Sequence, residues 1–222
     1  MFDPMTYVAK EGAGWAKSAF GYFRDRYFPK RLSYQIAPPN ILEVVSPYVH
    51  RDKVIELLGR PHRLEGNTSA YRFKNALLQI EYENDNAVTV TLASLQLRWP
   101  NRFEIFPLGL KMGSSTFGEV SVDPECIAKV ENSSKFFAYW TKEYFGFPGR
   151  YMNYYFGMIE AATHPPLKMP KGETEAVGEI DDFVRFYKIS KPSKTKFNIV
   201  CVSAVFVDER EIAPSFSWEF FS

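Results

Sequence analysis

The clearest alternation of hydrophobic and polar positions runs from Val49 to Trp99. It starts with a short segment at helical spacing, which we expect Asp52 to open. The apolar residues expected on the buried side of this helix are Val54, Ile55, Leu57 and Leu58. Gly59 stands where a helix end favours a left-handed residue, and Pro61 prevents continuation. The pattern therefore predicts a short helix that ends at Gly59.

Three segments with period two follow this helix and predict an antiparallel sheet. They are Ala70–Phe73, Ala76–Tyr82 and Ala87–Arg98. In the third segment the hydrophobic alternation shifts by one position between Leu92 and Leu95. Because side chains alternate strictly along a strand, this shift predicts a β-bulge near Ala93-Ser94.

The chain before Val49 carries weaker patterns. We expect a helix from Val8 to Phe28, a strand from Leu32 to Ile36, and a short helix over Ile41–Val45 that Asn40 caps and Pro47 ends. The first helix is rich in aromatic residues and glycine, so it could pack on its own sheet, or lie on a membrane surface or a partner.

The second half has a looser pattern of short apolar segments. Its predicted elements are a helix from Pro124 to Val130, a strand over Ser134–Trp140, a strand or helix over Arg150–Ala162, a long loop from His164 to Gly178, and a hairpin of Phe183–Ile189 with Phe197–Val207. The last segment is continuously apolar, as expected of a central strand.

These patterns predict an α+β fold with short helices packed on antiparallel β-sheet. Residues 1–48 would form an N-terminal helix and connector, and residues 49–100 a helix with a three-stranded module. Residues 101–222 would form a second α+β half, packed with the first as one globule, and this half could be a diverged copy of the module.

Residues 49–92 resemble one module of the family that includes the outer-membrane assembly lipoprotein SmpA/BamE and the β-lactamase inhibitor protein. The resemblance depends on the helix end Val54–Pro61, on Tyr71-Arg72-Phe73 and on the strand Leu77–Tyr82. It implies helix–helix–three-strand modules that bind other proteins and have no catalytic centre. The chain departs from the family because it shows no lipoprotein signal and no acylatable cysteine near its start.

Composition narrows the classes of function. The formal net charge is +1 over 222 residues, which argues against nucleic acid as the main partner because phosphate binding needs a surplus of Lys and Arg. No stretch approaches 18 uninterrupted apolar residues, so we expect no membrane span, and the N-terminus lacks the pattern of a signal peptide. Cys126 and Cys201 lie far apart, which favours two reduced thiols in a cytoplasmic protein over a disulfide.

The residue types that carry chemistry form no convincing motif. His50, His62 and His164 show no metal-ligand spacing, and we expect neither a cofactor nor a metal. Cys126 would lie in the first turn of the predicted helix, where the helix dipole can lower a thiol pKa. The acidic residues Glu173, Glu175, Glu179, Asp181 and Asp182 are expected on a solvated loop.

These observations leave three hypotheses. The preferred one is a non-catalytic protein-binding protein, of the immunity, inhibitor or assembly-factor type, because aromatic residues make up 17% of the chain and such residues dominate binding hot spots. Its candidate contact residues are Tyr139, Trp140, Tyr144, Tyr151, Tyr154 and Tyr155. The first alternative is an enzyme or small-ligand binder that uses His164 or Cys126 in a pocket between sheet and helices. The second alternative is a peripheral membrane protein that docks through the N-terminal helix.

Overall fold

A computed structural model describes residues 36–95, 102–120, 125–131, 136–147, 150–159, 175–181, 184–190 and 193–206. The predicted N-terminal helix Val8–Phe28 and almost all of the predicted strand Leu32–Ile36 lie outside the described residues, as does most of the loop that begins at His164.

The described residues form three short helices and twelve strands. The helices are α1 (Ile41–Val44), α2 (Arg51–Leu58) and α3 (Phe117–Val120). The strands are β1 (Arg63–Glu65), β2 (Thr68–Arg72), β3 (Ala76–Glu83), β4 (Asn86–Ser94), β5 (Phe103–Ile105), β6 (Leu110–Met112), β7 (Glu125–Glu131), β8 (Phe136–Phe147), β9 (Arg150–Ile159), β10 (Glu175–Asp181), β11 (Val184–Ser190) and β12 (Ile199–Ser203).

Ten of these strands form one sheet in the order β1-β2-β3-β4-β12-β9-β8-β7-β11-β10, and β5 and β6 form a separate pair. All neighbouring strands are antiparallel. The predicted class, α+β with short helices and antiparallel sheet, is confirmed. The segment predicted as a central strand contains β12, which lies between β4 and β9 with all five residues buried.

Two predicted elements are wrong. The segment from Pro124 to Val130 is not a helix, because Glu125–Glu131 is strand β7. The predicted hairpin of the last two segments does not form, since β11 pairs with β7 and β10 while β12 pairs with β4 and β9. A strand such as β12, with apolar residues on both faces, buries more apolar surface at the centre of the sheet than it would beside β11, the strand that precedes it in the chain.

The β-bulge is also elsewhere than predicted. Pairing of β3 with β4 is regular at Leu77 with Ala93, and the register shifts instead between Glu81 and Tyr82. Glu81 pairs with Thr89 and Tyr82 with Ala87, which leaves Val88 as the extra residue. The shift directly follows the tight turn at Asn84-Asp85, where both residues have positive φ.

Helix α2 begins one residue earlier than predicted. His50 is its N-cap, and its imidazole Nδ1 accepts a hydrogen bond from the backbone N–H of Asp52 at 3.2 Å. Gly59 follows the helix with the positive φ of 80° that its position predicted, but its ψ of −166° lies outside the left-handed helical region. Val54 is buried, whereas Leu57 is exposed, so the buried side of this helix is narrower than expected.

Helix α1 ends at Val44, and the side chain of Asn40 makes no capping hydrogen bond. The backbone carbonyl of Asn40 instead accepts bonds from the N–H groups of Glu43 and Val44, as in a turn. Together with the bond from the N–H of Ile41 to the carbonyl of Pro38, backbone carbonyls thus accept from three N–H groups of the first turn without the Asn40 side chain.

The main hydrophobic core lies between one face of the sheet and the segments that cover it. Sheet residues of this core include Tyr71, Leu78, Ile80, Val90, Leu92, Tyr154, Phe156, Val200 and Val202, and covering residues include Ile41, Leu42, Val54, Phe103, Ile105 and Phe117. Asn75, itself buried, holds the start of the cover in place. Its Oδ1 accepts from the N–H of Ala37 at 2.8 Å, and its Nδ2 donates to the carbonyl of Ala37 at 3.2 Å.

The opposite face of the central strands is also buried but is largely polar. One row across four strands consists of Gln79, Thr91, Cys201 and Tyr155, all at most 2% exposed. The next row contains Glu81, Thr89, Ser203 and Asn153. Hydrogen bonds within these rows, such as Thr89 Oγ1 to Ser203 Oγ at 3.1 Å, satisfy the buried groups.

Candidate functional site

The aromatic side chains of the described residues divide into a buried set and an exposed set. The exposed ones are Tyr48, Phe106, Tyr144, Phe145, Tyr151 and Phe206. A single exposed apolar side chain is ordinary on a protein surface, but a cluster of them marks an interaction site. The positions of these six rings in the fold therefore decide whether they indicate an interaction site.

The strand register places the exposed rings at one end of the sheet. Thr89, Ser203, Asn153 and Tyr144 form a row across β4, β12, β9 and β8. Beyond this row, toward the end of β8 at Phe147, lie Phe145, Tyr151 and, past the end of β12, Phe206.

Two hydrogen bonds connect the remaining segments to the same end of the sheet. The N–H of Tyr48 donates to the carbonyl of Ala87 at 2.7 Å, two residues beyond Thr89. Asn153 Nδ2 donates to the carbonyl of Val205 at 3.2 Å, which fixes the chain just before Phe206. Phe106 contributes its exposed ring from the turn between β5 and β6. We call the six exposed rings together the aromatic end.

Tyr144 and Tyr151 form a stacked ring pair at the aromatic end. Their ring centroids are 5.4 Å apart, with an interplanar angle of 17°. Both side chains lie on the face opposite the main hydrophobic core, because Tyr144 pairs with Asn153 and Tyr151 lies two residues from it. The stack presents two phenol rings to solvent in a fixed orientation.

A cavity of about 240 Å³ opens at the aromatic end on the other face of the sheet. Its lining residues are Leu42, Glu43, Ser46, Phe106, Pro107, Gly146, Met152, Tyr154 and Val202. The cavity lies between the sheet and its cover of α1 and the turn after β5. Tyr154 forms part of its wall, and its hydroxyl donates to the carbonyl of Phe106 at 3.5 Å, the long limit of a hydrogen bond. Burial raises the pKa of Tyr154, so the phenol remains a neutral donor.

The candidate contact residues predicted from sequence fall into three groups. Tyr144 and Tyr151 are exposed and lie together. Tyr154 and Tyr155 are 4% and 0% exposed, so on this structure they cannot form part of an open contact surface. Tyr139 and Trp140 lie on β8, and for these two residues only the backbone is described.

Sequence reasoning missed Tyr48, Phe106, Phe145 and Phe206 as members of the same surface. No local pattern distinguishes these rings from core rings, because the strand order that joins them brings together residues far apart in the chain. A partial indication existed at Phe106-Pro107, since a large apolar residue beside proline in a connector is typical of an exposed turn.

The residues proposed for an enzyme do not converge where they are described. His50 caps α2 and is exposed, His62 is exposed, and His164 lies outside the described residues. Cys126 lies on strand β7, so the predicted helix start that would lower its thiol pKa does not form at this position. Within the described ranges, no group of three or more His, Cys, Asp or Glu side chains could hold a metal ion.

Cys201 is a buried free thiol rather than a nucleophile. It is 0% exposed, and burial raises the pKa of its thiol to about 12. A thiol reacts as the thiolate, which this environment disfavours. The acidic cluster expected on a loop lies partly on the edge strand β10, which carries Glu175, Glu179 and Asp181.

Comparison of the chain with protein-family models, with curated protein sequences and with solved structures gave no match. Among the described residues, no helix combines the length and the apolar character needed to cross a membrane.

Proposed function

We propose that this chain is a non-catalytic protein-binding protein and that the aromatic end is its contact surface. The observation that carries the proposal is the distribution of the aromatic side chains. Among the described side chains, every aromatic one outside the core lies at this one end of the sheet. Random surface exposure would distribute them over the other edges as well.

The composition of this surface is that of a binding hot spot. Tyr and Phe are enriched at the centres of protein interfaces, where they bury large areas at a small cost in side-chain entropy. The stack of Tyr144 on Tyr151 lowers that cost further, because the two rings already restrict each other. The exposed aliphatic residues Leu57 and Leu64 lie elsewhere, on α2 and β1.

The resemblance of residues 49–92 to SmpA/BamE-like and β-lactamase-inhibitor-like modules agrees with this proposal in one respect. The segment from α1 to β4 runs through two helices into the antiparallel meander β1-β2-β3-β4, which has one strand more than the helix–helix–three-strand order that the resemblance implies. We propose on this basis a partner-binding role of the inhibitor, immunity or assembly type.

The connectivity does not favour a duplicated module. The meanders β2-β3-β4 and β7-β8-β9 flank β12 from opposite sides, with β4 parallel to β9. A rotation that superimposes one meander on the other must turn the sheet over, which would place the second helix on the opposite face. Helix α3, however, packs Phe117 into the same core cluster as Val54 of α2.

The proposal is tested by affinity capture with paired surface variants. Purified tagged protein with Tyr144→Ser and Tyr151→Ser is compared with wild type, and a Leu57→Ser, Leu64→Ser protein serves as the matched control. Both pairs remove two exposed apolar side chains, so neither should affect the core.

We expect a stoichiometric partner to bind the wild type and the Leu57→Ser, Leu64→Ser control equally well. Its affinity for the Tyr144→Ser, Tyr151→Ser protein should fall at least about tenfold or be lost. Affinity is then measured with the purified partner. Equal affinity of all three proteins would exclude the aromatic end as the contact surface.

A further inference from the structure

The cavity beside the aromatic end has the size of a single anchor side chain. Its volume of about 240 Å³ is below the range of roughly 300–1,000 Å³ that is usual for small-molecule sites. Its wall is mostly apolar, formed by Leu42, Met152, Val202 and the ring of Phe106. Hot-spot side chains characteristically fill such pockets within a ring of further contacts.

One charged residue lies among those that line the cavity. Glu43, in α1, is exposed and has no ion-pair partner among the described residues. Ion pairs elsewhere at the surface, such as Arg51 with Asp85 at 3.1 Å, already join opposite charges. The carboxylate of Glu43 thus gives the cavity mouth a negative charge that favours a cation next to the apolar occupant.

We propose that the cavity receives an apolar or aromatic side chain of the partner protein, and that a Lys or Arg beside that side chain pairs with Glu43. This inference rests on the proposed protein-binding function and specifies the chemistry of the partner. Phe106 and Phe145, the rings of the aromatic end that lie on the same side of the sheet as the cavity, supply the surrounding contacts, and the cavity supplies the specificity.

The test uses blocked dipeptides of matched shape, so that it needs no partner protein. The probes are acetyl-Phe-Arg-amide and acetyl-Phe-Glu-amide. The readout is the methyl signal of Met152 in protein labelled with [13C-methyl]methionine, assigned with the Met152→Leu variant. Met152 lines the cavity, so its methyl group reports occupancy directly.

We expect the arginine peptide to shift the Met152 signal with a dissociation constant about fivefold lower than that of the glutamate peptide, as one partly exposed ion pair allows. Glu43→Gln should reduce this preference to less than about twofold. Glu83→Gln is the control, because this substitution removes the same charge at an exposed residue at the end of β3. Glu83 does not line the cavity. The control should keep the preference.

Ser46→Leu, which narrows the cavity from its margin, should abolish the Met152 response to both peptides while the other methionine signals show that the fold is kept. No Met152 shift with either peptide up to about 10 mM would overturn the proposal. Equal binding of both peptides by wild type would also overturn it. Neither result depends on the affinity-capture experiment, so the two proposals fail separately.

Discussion

The phenol ring of Tyr144 lies against that of Tyr151 across β8 and β9, with centroids 5.4 Å apart and ring planes 17° apart. The two rings are exposed, so the fold does not need them as core. Adjacent strands hold them together at the end of the sheet, where they form a flat surface before any partner arrives.

The stack should show a measurable coupling energy. Tyr144→Ala, Tyr151→Ala and the double variant form a cycle in which we expect a coupling of about 0.5–1.5 kcal/mol, as for other aromatic pairs. The free energy of unfolding is measured by urea denaturation. If the single effects add within about 0.3 kcal/mol, the rings do not restrict each other in solution.

Asn75 should contribute far more to stability than an exposed asparagine. Asn75→Ala removes two hydrogen bonds and leaves the N–H and carbonyl of Ala37 buried without these partners, which should cost about 2–4 kcal/mol. The control is Asn86→Ala, since Asn86 is exposed and makes one side-chain bond, to the carbonyl of Asn84. Its cost should stay below about 1 kcal/mol. Similar losses for the two variants would contradict the role of Asn75 in holding the cover on the sheet.

The thiol of Cys201 should be unreactive in the folded protein. In a Cys126→Ser background, we expect no reaction with a disulfide reagent at pH 8 until denaturant is added, because the thiol is fully buried. Its pKa rises from 9.0 to about 12, so the fold favours the protonated form. This stabilisation is complete below pH 9 and is lost as the pH rises toward 12. Rapid modification of the native variant would show that β12 is not buried at this position.

Glu81 should make the protein less stable as the pH rises, whereas a salt-bridged carboxylate makes a protein more stable as the pH rises. Burial raises the pKa of its carboxyl above 4.5, although a hydrogen bond from Gln79 acts in the other direction. The folded state therefore favours protonated Glu81, and its contribution is full below pH 4.5 and falls as the pH rises through the raised pKa. Glu81→Gln should thus increase stability relative to wild type more at pH 7 than at pH 4.

The matched control for Glu81 is Glu65→Gln, which removes an exposed carboxylate from the edge strand β1. Thermal or urea unfolding of both variants at the two pH values gives the comparison. A larger pH-dependent gain for Glu65→Gln than for Glu81→Gln would refute the assignment of Glu81 to a desolvated site.

The hydrophobic pattern was sufficient to predict a strand where the strand has one apolar and one polar face, or two apolar faces. The alternation of Leu78, Ile80 and Tyr82 predicted β3 and the face that it turns to the main hydrophobic core, and the continuous apolar run predicted a central strand at β12. It failed at β7, where the proline before Glu125 indicated a helix although Cys126, Ala128 and Val130 also alternate. Long-range pairing decided that ambiguity, and no local pattern contains it.

The candidate site could be predicted only in part, for a related reason. Tyr151 and Tyr155 are the same residue type on the same face of the same strand, yet Tyr151 is 44% exposed and Tyr155 is fully buried. Their environments differ because Tyr155 lies across from Cys201 within the sheet, whereas Tyr151 lies beyond the last residue of β12. That difference requires the strand order, which period-two alternation cannot provide.

The most direct test of the binding surface is amide hydrogen exchange of the protein alone and in complex with the captured partner. We expect protection to increase in residues 144–147 of β8 and 150–153 of β9, in the turn between β5 and β6, and at the end of β12, with little change at α2 and β1. Protection confined to α2 and β1, where Leu57 and Leu64 lie, would contradict the account.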